Sequence, residues 1–272
     1  GRDSPGSPRQ KHARSRHLPW SPHQRNRKDL ALIVFDCDGT LVDSQHAIVA
    51  TMTAAFAEMG QPAPRAGEIR DLIGLSLEET AARLWPAAEA NQSAQLIDIY
   101  RRLFFEQRRH AAAPDPLYPH AETVLRQLSA QGSQLGVATG KSRRGLDAVL
   151  HSHNLKDLFL TLQTADVHPG KPDPAMLYQA MADVGATVEN TLMLGDTSFD
   201  MAMAVNAGVR PVGVAWGYHD EEALVAAGAQ VVLNDFPELM AWIAENWPEL
   251  KPEPKTGPKP EPMSEPEAQP WP

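Results

Sequence analysis

Four short stretches of the chain carry side chains whose chemistries complement one another. The first is Asp36-Cys37-Asp38-Gly39-Thr40, which closes an apolar run. Carboxylates two residues apart point the same way in extended chain. Two such acids repel unless a cation or ligand compensates them, and Gly39 lets the chain turn sharply away. A polar strand end would need only one acid, so the pair reads as chemistry. The second stretch, Thr139-Gly140-Lys141, offers a hydroxyl and accessible backbone N–H groups suited to an anion, although Thr-Gly is also an ordinary loop start. In the third, Lys171 stands between Pro169 and Pro172 just before a helical pattern. Lysine is a point-charge phosphate binder; the plain alternative is a solvated loop lysine. Asp173, before Pro174, reads as a helix N-cap. The fourth stretch sets Asp196 at a strand end and Asp200 in the opening turn of the next helix. Oxygen-only surroundings with paired carboxylates suit Mg²⁺. A cap with a first-turn acid explains one of that pair, hardly both.

Elements that would position these groups are legible in the hydrophobic pattern. Near-continuous apolar runs at 32–36, 135–139, 160–164, 192–196, 211–216 and 231–233 read as strands. Apolar residues at i, i+3 and i+4 mark helices at 121–131, 144–153, 174–184, 199–206 and 221–227. That alternation predicts a parallel sheet covered on both faces, a doubly wound α/β fold. Ligands of such sheets bind beyond the carboxyl ends of the strands, where all four stretches fall. Between 45 and 118 only helical periodicity appears, at 47–59, 68–73, 77–84 and 94–110. This predicts an all-helical subdomain inserted after the first strand, with the core formed by 29–44 and 119–248.

Composition narrows the rest. At 272 residues, with 42% hydrophobic and 22% charged, the chain suits an ordinary soluble globular protein. Its one cysteine, Cys37, rules out an internal disulfide framework and fits a reducing compartment, so a cytoplasmic location is expected. Cys37 itself reads as a small buried hydrophobe. The net charge of −9 conceals a basic start, because 1–28 holds eight Lys and Arg against Asp3. The remaining acidic body argues against nucleic acid as a partner, while small anions stay compatible with it. No run approaches the ~18 apolar residues of a membrane helix, and no secretory signal is expected. The basic 1–28 and the Pro-rich 249–272 are both expected to be disordered.

In this order the motifs resemble the haloacid dehalogenase superfamily of aspartate-nucleophile hydrolases. Asp36-x-Asp38-Gly-Thr-Leu-Val-Asp43-Ser44 resembles its first motif, Thr139 the second, Lys171 the third, and Gly195-Asp196-x-x-x-Asp200 the fourth. The resemblance spans about 30–245 and implies a Rossmann-like core with a helical cap. It is closest to the phosphoglycolate phosphatase-like branch, to which Val214-Ala-Trp216-Gly217-Tyr218 is a weaker match. Implied with it are Asp36 as nucleophile, Asp38 as general acid and base, and Thr139, Gly140 and Lys171 as holders of the phosphoryl oxygens. Mg²⁺ is implied on Asp36, the Asp38 main-chain carbonyl, Asp196 and Asp200, and the implied partner is a small-molecule phosphate ester. Asp43 and Ser44 are read as structural. An acid at position 38 speaks against a dehalogenase, since halide leaves without a proton. A sugar-phosphate mutase similar to β-phosphoglucomutase is the alternative, and a receiver-like phospho-switch a remote one. Arg65, Arg70, Arg83 and the Ile73-Gly74-Leu75-Ser76 segment are the insert's candidates to meet the organic part of a substrate.

Overall fold

The structure, a computed structural model, describes residues 31–246, so the expectations for the basic start and the Pro-rich tail lie outside the described residues. Six strands form one sheet: β1 Leu32–Phe35, β2 Gln134–Thr139, β3 Phe159–Thr164, β4 Thr191–Gly195, β5 Arg210–Val214 and β6 Val231–Leu233. Their spatial order is β3-β2-β1-β4-β5-β6, with every pairing parallel. The expected doubly wound α/β sheet is therefore present.

β1 shows why its sequence is apolar throughout. All four residues are fully buried, because alternate side chains enter different cores. Ile33 and Phe35 pack on one face with α5 (Ala121–Ala130), α6 (Arg143–Ser152) and α10 (Phe236–Asn246). Leu32 and Val34 pack on the other with α7 (Ala175–Val184) and α8 (Ser198–Ala207). A short α9 (Glu221–Ala226) links β5 to β6. The direction of winding reverses between β1 and β4, which opens a crevice at their carboxyl ends.

Four helices lie between β1 and α5: α1 Gln45–Glu58, α2 Ala66–Arg70, α3 Leu77–Leu84 and α4 Ala90–His110. They bury an apolar cluster of their own, with Met52, Phe56, Ile69, Ala81 and Leu96 at its centre.

Strand positions agree with the sequence reading to within one or two residues at each end. Helix α10 was not anticipated, although Phe236, Leu239, Met240 and Ile243 carry helical spacing. The Asp173 expectation needs correcting: Pro174 is the N-cap of α7, and the Asp173 carboxylate accepts from the Ala175 N–H at 2.9 Å.

Candidate active site

Asp36 directly follows β1, and its backbone N–H bonds to the Leu194 carbonyl of β4 at 2.9 Å. Register pairs Phe35 with Leu194, so the residues that follow each strand emerge beside one another. Asp196 leaves β4 there, and Asp200 joins it from the first turn of α8. One carboxylate oxygen from each of Asp36, Asp196 and Asp200 lies within 4.8 Å of the others, and all three residues are buried. Lys171 enters from the loop between β3 and α7, with its ammonium 2.9 Å from Asp36 Oδ1 and 2.6 Å from Asp200 Oδ1. It is fully buried, so the solvated-loop alternative does not hold.

Three acids against one lysine leave excess negative charge out of water. Burial, opposed by the Lys171 ammonium, pushes Asp36 up to about 7. Burial, then the charges of Asp200 and Asp36, raise Asp196 well above the usual carboxylate range. For Lys171, burial pulls downward, yet the Asp200 and Asp36 charges outweigh it and hold the ammonium above its ordinary value. A divalent cation would relieve this imbalance. The donor set fits a hard ion: carboxylate oxygens only, with Asp36 Oδ2 buried and lacking both a hydrogen-bond and an ion-pair partner.

Neighbours fix the acids in place. Thr40 Oγ1 donates to Asp196 Oδ1 at 2.8 Å, and the Tyr218 N–H donates to Asp196 Oδ2 at 2.9 Å. Thr197 donates to Asp200 Oδ2 through both its N–H and its hydroxyl, at 3.0 and 2.7 Å. Gly39 turns the chain at φ +84°, and a Cβ there would overlap the Asp196 carboxylate. The weak Trp216-Gly217-Tyr218 match thus gains a physical reason, since Trp216 Nε1 also donates to the Thr40 carbonyl at 3.1 Å.

Asp38 stands apart from the three-acid group. Its Oδ1 accepts from the Ser44 hydroxyl and lies 2.7 Å from the Lys141 ammonium. Burial lowers the Lys141 ammonium, but the Asp38 charge and hydrogen bond prevail and raise it. Sequence reasoning did not assign Lys141 a role and treated Ser44 as structural; both grip the acid/base candidate.

Thr139 ends β2, the strand paired beside β1. Its hydroxyl accepts from the Lys141 N–H at 3.3 Å, so its own proton remains free for an anion. Gly140 packs beneath the helical insert, where a Cβ would overlap the Gly74 and Leu75 carbonyls. The 71–76 segment closes over this end of the sheet, and His219 Nε2 meets the Asp71 carbonyl at 3.1 Å. Beneath it a cavity of about 120 Å³ reaches Asp38, Gly140 and Lys141 from α1, α4 and the 72–75 segment. Two of the insert's arginine candidates are engaged elsewhere, Arg65 with Glu68 and Arg83 with Glu79. None of Arg65, Arg70 and Arg83 lines the cavity.

Comparison with known proteins agrees with this geometry. A family model described as haloacid dehalogenase-like hydrolase matches residues 33–214. "Probable phosphatase IndB" of Dickeya dadantii is 35% identical over 212 residues, covering 77% of this chain and 91% of that protein. A phosphoglycolate phosphatase of Vibrio cholerae is 30% identical over 221 residues, covering 78% and 96%. The crystal structure of a hydrolase from Pseudomonas syringae has a TM-score of 0.71 at 25% identity, covering 79% of this chain and 98% of that one. No helix among the described residues is long and apolar enough to cross a membrane. The chain belongs to the haloacid dehalogenase-like hydrolases and is an enzyme of their phosphatase kind.

Proposed function

We propose that the chain is a Mg²⁺-dependent phosphatase that hydrolyses a small-molecule phosphate monoester through an aspartyl-phosphate on Asp36. The observation that carries this reading is the convergence of Asp36, Asp196 and Asp200 on one another, with Lys171 paired to Asp36 and Asp200 and Asp36 Oδ2 left unengaged. Asp36, Asp196 and Asp200, with the Asp38 main-chain carbonyl implied by the family resemblance, would hold the ion, which when bound offsets the repulsion between an anionic nucleophile and an anionic ester.

The chain's own groups then divide the work. Lys171 and the Thr139 hydroxyl hold the phosphoryl oxygens, with the Gly140 N–H alongside. An Asp36 oxygen bonds to phosphorus as the bond from phosphorus to the organic oxygen breaks, and Asp38 gives that departing oxygen a proton. Water then bonds to the same phosphorus, Asp38 takes its proton, and the bond to Asp36 breaks to release phosphate. Ser44 and Lys141 both engage Asp38 Oδ1, which leaves Oδ2 for the transfer. Helices α1–α4 and the 71–76 segment act as the cap that excludes water.

Since relatives at 30% identity are named phosphoglycolate phosphatase, 2-phosphoglycolate is the reference ester to test. The mutase alternative would return the phosphoryl group to a sugar instead of to water, and isomerisation of hexose 1-phosphates is the assay that would favour it. Phosphate release from a panel of esters, with and without Mg²⁺ and beside Asp36→Asn, tests the reading. Mg²⁺-dependent release that vanishes in the variant supports it. Release that persists in Asp36→Asn removes Asp36 from the mechanism.

A further inference from the structure

We propose that the organic part of the substrate is an uncharged, largely apolar body about the size of a six-membered ring, held between α1 and α4. This inference rests on the phosphatase reading above and names the class of ester that the site accepts.

The cavity beside Asp38 is walled by Ile48 and Met52 of α1, Leu72 and Leu75 of the closing segment, and Tyr100 and Phe104 of α4. The Tyr100 and Phe104 rings stack with centroids 5.7 Å apart and planes 17° apart, so they form one continuous aromatic surface. At about 120 Å³ the space is comparable with the ~150 Å³ that admits benzene in a cavity lined by aliphatic and aromatic side chains. A short branched chain or a single ring fits that volume.

Charge points the same way. Two cationic side chains line the cavity, Lys141 and Arg101, and both already face acids. Lys141 lies 2.7 Å from Asp38 Oδ1, and Arg101 lies 2.7 Å from Glu78 Oε1. The lining acids Asp38, Glu78 and Asp166 outnumber them. A second carboxylate or phosphate on the substrate would shed its water here without gaining a free cation, and an unpaired buried charge is costly. Shape and charge thus favour an aryl, alicyclic or branched-alkyl phosphate over an ester bearing another anion.

The test uses the full chain with saturating Mg²⁺ and non-hydrolysable probes, so that turnover does not enter. Phenylphosphonate and phosphonoacetate, the second carrying a carboxylate in place of the ring, are titrated by calorimetry. The expected result is phenylphosphonate binding at least about tenfold more tightly, the gain from burying a ring in an apolar site. Phe104→Leu and Ile48→Ala, on separate helices and each checked by melting temperature, should reduce that ratio by about three- to tenfold. Equal or tighter binding of phosphonoacetate, or a ratio that neither variant moves, overturns the proposal. Phenyl phosphate, a monoester that carries the proposed ring, separates this from the chemistry. If it is hydrolysed while phosphonoacetate wins, only the substrate class falls. If it is not hydrolysed while phenylphosphonate wins, the substrate class stands and the assigned chemistry falls.

Discussion

Replacing Lys171 with methionine removes one charge from the centre of the site and keeps an unbranched side chain. In the wild-type chain the ammonium lies 2.9 Å from Asp36 and 2.6 Å from Asp200, with no exposure to solvent. At an effective dielectric of about 20 each contact represents roughly 6 kcal/mol of gross attraction. Desolvation cancels most of it, and removing one partner from a buried pair costs about 3–5 kcal/mol. Against a total stability of about 5–15 kcal/mol, the metal-free variant should stay folded but unfold at a clearly lower urea concentration. Mg²⁺ should then act in the opposite sense. With Lys171 gone, three carboxylates face the ion without competition, so its affinity should rise by about tenfold or more. At 100 times Kd it would restore about 2.7 kcal/mol relative to the metal-free variant. Turnover should nevertheless fall by about a hundredfold or more, because the ammonium assigned to hold the phosphoryl oxygens is gone. Urea unfolding with and without Mg²⁺, Mg²⁺ calorimetry and phosphate release read the three effects separately. An unchanged urea midpoint together with unchanged Mg²⁺ affinity would refute the charge argument.

Other perturbations test neighbouring links. Gly140→Ala places a Cβ against the Gly74 and Leu75 carbonyls, which should lift the 73–76 segment from the end of β2 at about 1–3 kcal/mol; a lower melting temperature and a higher KM are expected. Without metal, stability should depend on pH through Asp36, which burial raises from its ordinary 3.8 to about 7. Between those values the folded chain keeps a proton that the unfolded chain has released, so stability falls as pH rises through that window, by at most about 4 kcal/mol. Saturating Mg²⁺ should flatten the profile in urea titrations taken from pH 4 to 8. Cys37 is buried, and burial followed by the Asp38 charge raises its thiol well above the usual value. A chromogenic thiol reagent at pH 8 should therefore leave the native chain unmodified and titrate one thiol after unfolding.

Much of this architecture could be read from residue order because its strands are buried on both faces. Leu32 to Phe35 is apolar throughout since each successive side chain enters a core, and such runs stand out in a sequence. The predicted runs at 32–36 and 192–196 each extended one residue too far, to Asp36 and Asp196. These acids lie just beyond their strands because they turn toward the site. What could not be read were the meetings between elements distant in the chain. Lys171 reads as a phosphate binder from its sequence setting, but its pairing with Asp36 and Asp200 appears only once its loop is packed. Lys141 and Ser44 reach Asp38 through a geometry that spacing alone does not encode. Two of the insert's three arginine candidates are engaged elsewhere for a readable reason. Glu68 and Glu79 stand three and four residues from Arg65 and Arg83, the separation at which helical neighbours pair.

Sheet order explains why the acids converge at all. Asp36 and Asp196 are 160 positions apart in sequence, yet β1 and β4 are adjacent, with Phe35 level with Leu194. Because the winding reverses between these two strands, their connecting segments depart to opposite sides and leave the crevice open. Close-set carboxylates are unfavourable there, and nearby groups compensate: Thr40 and Tyr218 hold Asp196, Thr197 holds Asp200, and Lys171 bridges Asp36 to Asp200. Register is therefore as much a part of the site as its side chains. A one-residue slip of β4 would turn Asp196 to the opposite face of the sheet and separate it from Asp36, although every residue of the motif would still be present.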